Sequence, residues 1–189
     1  MSEKKRSSPD SAERAARSAD RKSSAGTTPD PWDVCAKLEY GGDRSFAWSV
    51  REQVISSPPA EHAQIEARLL KALAQAGCTE AGRAFLCQML AMVGSAKSVP
   101  VLAPLLRDPK STESARYALQ PIPGAEVSAA LRDALGSVSG AAKAGLIGSI
   151  GMRKDTAARP ALTALKDNAA EPAIVREAAT RALEQLASA

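Results

Sequence analysis

SARYALQPIPGAEVSAALRDALGSVSGAAKAGLIGSIG, residues 114–151, is a run of helix formers broken by Pro121, Pro123 and glycines at 124, 136, 140, 145, 148 and 151. A proline inside a helix removes a hydrogen bond and costs about 3 kcal/mol, so this stretch cannot be one long helix. It reads as short helices, each of which stops so that the next can fold back.

The flanking sequence repeats the pattern. AEHAQIEARLLKALAQ (60–75) sets Ile65, Leu69, Leu70 and Leu73 at helical spacing, after Pro58 and Pro59 and before Gly77. TEAGRAFLCQMLAMVG (79–94) opens on a Thr cap and puts Phe85, Leu86, Met89, Leu90 and Val93 on one face. Further short segments span 96–108, 111–122, 124–136, 139–151, 155–167 and 171–187. Leu90 and Val93 recur as Leu119 and Ile122, then as Ile147 and Ile150. Leu102 recurs as Leu131 and Leu162, and Pro100 as Pro160.

A period of about 30 residues, alternating two short helices, marks a helical solenoid. Gly94 and Gly151 are expected to supply left-handed residues at helix ends. Asp108-Pro109 and Glu171-Pro172 separate the helices of a pair, with Ser111 or Thr112 as N-cap. Ala115, Ala118, Ala142, Ala144, Ala178, Ala179 and Ala182 read as close-approach positions in the stack. Helices this short need their neighbours to be stable.

Three regions follow. Residues 1–30 are Ser, Arg, Lys, Asp and small residues with little to bury, which reads as a disordered arm. Residues 31–58 hold Trp32, Trp48, Phe46 and Tyr40, and read as a capping segment for the array in 59–189.

Bulk composition narrows the function. Hydrophobic residues make up 44% of the chain and aromatics 3%, a poor supply for base-stacking modes of nucleic-acid binding. The net charge is +4, half of it in the arm, which holds seven Lys/Arg against five Asp/Glu up to Pro31. Cys35, Cys78 and Cys87 have neither disulfide nor zinc spacing. Buried free thiols in a reducing compartment are the simplest account. His62 is the only histidine, too few for a multi-histidine metal centre. The N-terminus has no apolar secretory core, and no run reaches the ~18 apolar residues of a membrane span. The reading is a cytoplasmic protein without a cofactor.

DNAAEPAIVREAATRALEQL (167–186) resembles the HEAT repeat, whose second helix commonly runs valine-arginine, alanines, then alanine-leucine. MVGSAKSVPVLAPLLRDPKSTESARYAL (92–119) is similar to the phycobilisome-lyase HEAT-like variant, with Gly94 closing one repeat, Val99-Pro100 in the next helix, then Asp108-Pro109. The fuller string also resembles bacterial HEAT-repeat proteins of the planctomycete type. The resemblance covers roughly 60–189 and implies an all-α fold, a right-handed α-solenoid of HEAT-like helix pairs. It says little about activity.

In that family the second helix of each pair lines the concave face. Mapped here, those helices carry Arg83, Arg116, Lys143, Arg176 and Arg181, with Arg153 and Lys154 just after Gly151. Such a stripe would attract an acidic protein segment or a phosphate backbone. Equally, the cations could be neutralised by Glu80, Glu113, Glu177 and Glu184, or Arg116 and Arg176 could tie repeats through Asp108, Asp133 or Asp167. Tyr117 is expected half-buried at the rim.

GLIGSIG (145–151) lacks the preceding strand and following Lys-Ser/Thr of a phosphate loop. Cys87 lies on an apolar stretch with no base nearby in sequence. The resemblance also brings phycobilin lyases and alkylpurine DNA glycosylases into view. Few aromatics oppose a pigment pocket, and both tryptophans precede the repeats. The expectation is a non-catalytic scaffold that binds a protein or peptide, with a nucleic-acid-binding solenoid as the alternative.

Overall fold

The computed structural model describes residues 29–188, so the expected arm, 1–30, lies outside the described residues except for its last two. Those residues form ten α-helices and no strand: α1 (Pro31–Cys35), α2 (Ser45–Ser56), α3 (His62–Leu73), α4 (Glu80–Val93), α5 (Val99–Leu105), α6 (Thr112–Leu119), α7 (Ala125–Ala134), α8 (Gly140–Met152), α9 (Arg159–Asp167) and α10 (Ala173–Ala187). None of them is long and apolar enough to cross a membrane.

Packing follows chain order. Consecutive helices pair as α1/α2, α3/α4, α5/α6, α7/α8 and α9/α10. The second helix of each pair then packs on the second helix of the next, α2 on α4, α4 on α6, α6 on α8 and α8 on α10. The protein is therefore all-α, with its second helices in one continuous layer. Residues 31–58 form the α1/α2 pair, and α2 joins that layer as the later second helices do.

The apolar repeat is the core between layers. Leu90, Val93, Leu119, Ile122, Ile147 and Ile150 are buried, as are Leu102, Leu131 and Leu162 on the first helices. Burying each such side chain contributes about 1.5–3 kcal/mol. Ala115, Ala118, Ala178, Ala179 and Ala182 are also buried, while Ala142 and Ala144 are half-buried.

Helix ends are made by several devices. Thr79 Oγ1 caps α4, accepting from Gly82 N at 2.9 Å. Pro100 and Pro160 occupy the first turns of α5 and α9, each behind a short 3-10 turn, where a missing N–H costs nothing. Ser111 occupies the N-cap position of α6, but its hydroxyl donates to Asp108 Oδ2 at 2.6 Å instead of capping the helix.

Two glycines act differently from expectation. Gly94 is extended (φ −66°, ψ 152°), not left-handed. A Cβ there would lie 2.5 Å from Leu90 O and 2.9 Å from Ile122 Cδ1, so glycine is needed for close approach. Gly151 lies inside α8, where a Cβ would sit 3.0 Å from both Cα and Cβ of Ala182 on α10. The left-handed residue after α8 is Lys154, at φ 55°.

Polar ties join successive repeats. Glu66 on α3, only 2% exposed, accepts from Ser95 N at 2.8 Å, Ser95 Oγ at 2.8 Å and Ser98 Oγ at 2.6 Å. Arg132 on α7 pairs with Asp155 ahead of α9. Among the described residues no buried side-chain nitrogen or oxygen lacks a partner.

Candidate functional site

Helix register decides which cations are available. Arg83, Lys143 and Arg176 are each the fourth residue of a second helix, and the fourth residue of α6 is Ala115. Arg83 donates to Ser111 Oγ at 2.5 Å and reaches Asp108 Oδ2 at 3.5 Å, both ahead of the next second helix. Lys143 does the same two pairs later, meeting Glu171 Oε1 at 2.6 Å, with both side chains largely buried. On α4 and α8 this position bonds to the following repeat and presents no free charge; on α10, the last second helix, Arg176 has no following repeat to meet.

The remaining expected residues divide. Arg116 is held by Glu113 Oε2 at 2.7 Å, Gln120 Oε1 at 3.2 Å and Ser149 Oγ at 3.0 Å. Asp108 is thus the partner of Arg83, not of Arg116 or Arg176, and Asp167 pairs with its neighbour Lys166. Arg153 donates to the carbonyls of Gln120 at 2.8 Å, Ile122 at 2.5 Å and Gly124 at 2.9 Å, filling the turn after α6. Burial draws its pKa below the ordinary guanidinium value, opposed by Asp155.

Lys154 lines a separate cleft beside α7 with Arg132, Arg153 and Asp155. Arg176 is half-buried and Arg181 exposed. Among the described residues neither Arg176, Arg181 nor Lys154 has a carboxylate within salt-bridge reach. Four of the seven expected cations are therefore engaged within the chain, and the other three do not form a stripe across successive repeats.

Tyr117 departs from expectation in the opposite direction, being 56% exposed. It belongs to a group that the sequence reading passed over. Trp48 on α2 is 65% exposed, Met92 on α4 49% and Met152 on α8 63%. Each second helix from α2 to α8 thus leaves at least one large apolar side chain in solvent, α2 adding Ile55.

Two of these side chains border adjoining depressions. Trp48 lines an open-sided pocket of about 370 Å³ with Arg44, Ala47, Arg51, Phe85 and Gln88. Gln88 also lines the adjoining depression with Ala84, Glu113, Ser114, Arg116 and Tyr117. Met92 is one turn beyond Gln88 on the same face of α4. Gln120, one turn beyond Tyr117, approaches Met152, its Nε2 lying 3.4 Å from Sδ.

Arg44 at the N-cap of α2, and Trp48, Arg51 and Ile55 along it, recur at helical spacing, so cations flank the indole. Neither Arg44 nor Arg51 has a carboxylate within salt-bridge reach among the described residues. That spacing was legible in the sequence. Of the bulky residues in 31–58, Trp32 is buried, with Arg68 stacked 4.7 Å from its ring centroid, and Phe46 packs partly buried against the core, whereas Tyr40 and Trp48 are exposed.

The thiols are held in their protonated form. Burial raises Cys35 to about 11 and Cys87 to about 12, with nearby Cys78 adding to the rise at Cys87 and Arg83 opposing it. A nucleophilic thiol needs the opposite shift. Among the described residues no three His, Cys, Asp or Glu side chains are gathered to hold a metal ion.

Comparison of the chain with family models, curated proteins and solved structures finds no match.

Proposed function

We propose that the chain is a non-catalytic HEAT-type scaffold, a right-handed α-solenoid whose concave face is the second-helix layer and docks a segment of a protein partner. The observation that carries this reading is the row of exposed Trp48, Met92, Tyr117 and Met152 on four successive second helices. Large apolar side chains left in solvent on successive repeats, two of them bordering adjoining depressions, suit an interaction surface, where aromatic and methionine side chains are enriched. Neighbouring helix axes lie about 8–10 Å apart, so the row from α2 to α8 is about 24–30 Å long. At ~3.3 Å per residue an extended segment of about eight residues would cover it.

The free, largely buried thiols favour a reducing, cytoplasmic setting. The nucleic-acid alternative is weaker, since Arg83, Arg116, Lys143 and Arg153 are turned to the protein's own oxygens.

The test is affinity capture from nuclease-treated lysate, followed by titration of the purified partner against wild type and Trp48→Ala/Tyr117→Ala. A loss of about 2 kcal/mol or more is expected, because exposed aromatic anchors dominate such interfaces. Unchanged affinity for every captured partner would refute the docking face.

A further inference from the structure

Resting on the docking reading just given, we infer that the α2/α4 pocket recognises an acidic peptide segment that carries one large apolar side chain between carboxylates. The pocket combines two chemistries. Trp48 and Phe85 provide apolar walls, with Phe85 itself nearly buried, so a Leu- or Phe-sized group can enter and exclude water. Arg44 and Arg51 stand on either side of Trp48, two turns of α2 apart. Their charges are uncommitted among the described residues: Asp43, beside Arg44, accepts from Ser45 N and Ser45 Oγ, both at 2.9 Å.

Guanidinium groups offer forked donors that match a carboxylate. Two of them around one apolar slot therefore suit the pattern acid–apolar–acid. Gln88 lies on the path toward Tyr117 with an amide able to donate to and accept from a passing peptide backbone. The opposite charge pattern is disfavoured, because a basic peptide would set like charges against Arg44 and Arg51.

The experiment is selection of a random peptide library of about twelve residues, long enough to cross the second-helix face at ~3.3 Å per residue, on the immobilised full chain. Enriched sequences are then titrated by fluorescence anisotropy. Enrichment of Asp and Glu on both sides of an aromatic or leucine is expected, with Arg44→Glu/Arg51→Glu weakening binding by about tenfold or more. The three side chains Arg44, Trp48 and Arg51 are exposed, so an unchanged melting curve shows that the variant folds.

Neutral or basic peptides that bind through Tyr117 and Met152, and ignore Arg44→Glu/Arg51→Glu, would overturn this inference while leaving the docking face intact. Peptides indifferent to Trp48, Tyr117 and Met152 alike would overturn both. Tight binding of oligo(dT) with a steep salt dependence, in place of any acidic peptide, would reassign the pocket to single-stranded nucleic acid.

Discussion

Glu66 on α3 accepts a hydrogen bond of 2.6 Å from Ser98 Oγ, 32 residues further along the chain and one repeat away. Burial by itself would raise the pKa of this carboxyl. The hydrogen bonds from Ser98 and Ser95, with Lys97 nearby, outweigh burial and hold it below the ordinary 4.5. A carboxylate whose folded pKa is depressed contributes stability above its unfolded pKa, and loses it as pH falls through the folded value. Glu66→Ala should cost about 2 kcal/mol at pH 7, because the buried Ser98 hydroxyl and the part-buried donors of Ser95 lose their acceptor. In urea titrations from pH 7 to pH 3, the gap between wild type and Glu66→Gln should narrow below about pH 4.5. A constant gap would refute the charged Glu66.

Within α8, two glycines one turn apart should respond with opposite sign. A Cβ on Gly151 would press on Ala182, whereas one on Gly148 meets nothing within 4 Å. Gly151→Ala should destabilise by about 1–3 kcal/mol through overpacking. Gly148→Ala should stabilise by about 0.5–1 kcal/mol, since alanine loses less backbone entropy in a helix. Urea midpoints of the two variants decide it.

Lys143 and Glu171 should behave as a repeat-to-repeat tie, not as a binding site. With both side chains largely buried, Lys143→Ala should cost about 3 kcal/mol by stranding a carboxylate. A Lys143→Glu/Glu171→Lys exchange should recover part of that loss. If Lys143→Ala left stability unchanged but abolished partner binding, Lys143 would belong to the interface.

Trp48 should be separable from the fold. Because it is exposed while Trp32 is buried, Trp48→Phe should shift tryptophan emission to shorter wavelength. Trp48→Ala should change unfolding free energy by no more than about 0.5 kcal/mol. A cooperative loss of structure would place the indole in the core.

Much of the fold was legible because a two-helix repeat writes its period into the sequence. Leu102, Leu131 and Leu162 were recognisable as one position before any was seen to be buried. Pro100 and Pro160 marked helix starts for the simple reason that proline fits there. Glycine was harder to read, since the letter does not distinguish a left-handed turn from a close crossing. Gly94 and Gly151 serve the crossing.

The site was harder still. Whether Arg83 or Lys143 faces solvent depends on which side chain opens the next repeat, and Asp108, Ser111 and Glu171 supply their partners from 25 to 28 residues away. Exposed apolar residues carry no periodic mark of their own, so nothing in the sequence set Met92 and Met152 apart.

Oxidative footprinting of the full chain, alone and with a selected peptide, tests most directly whether the second-helix layer is the docking face. Trp48, Met92, Tyr117 and Met152 carry oxidisable side chains, and Tyr40, 68% exposed in the loop between α1 and α2, serves as a reference away from the helices. The account expects peptide to protect Trp48 and Tyr117 most strongly, Met92 and Met152 as well, and Tyr40 not at all. Saturated binding with those four side chains as reactive as in the free chain would contradict it.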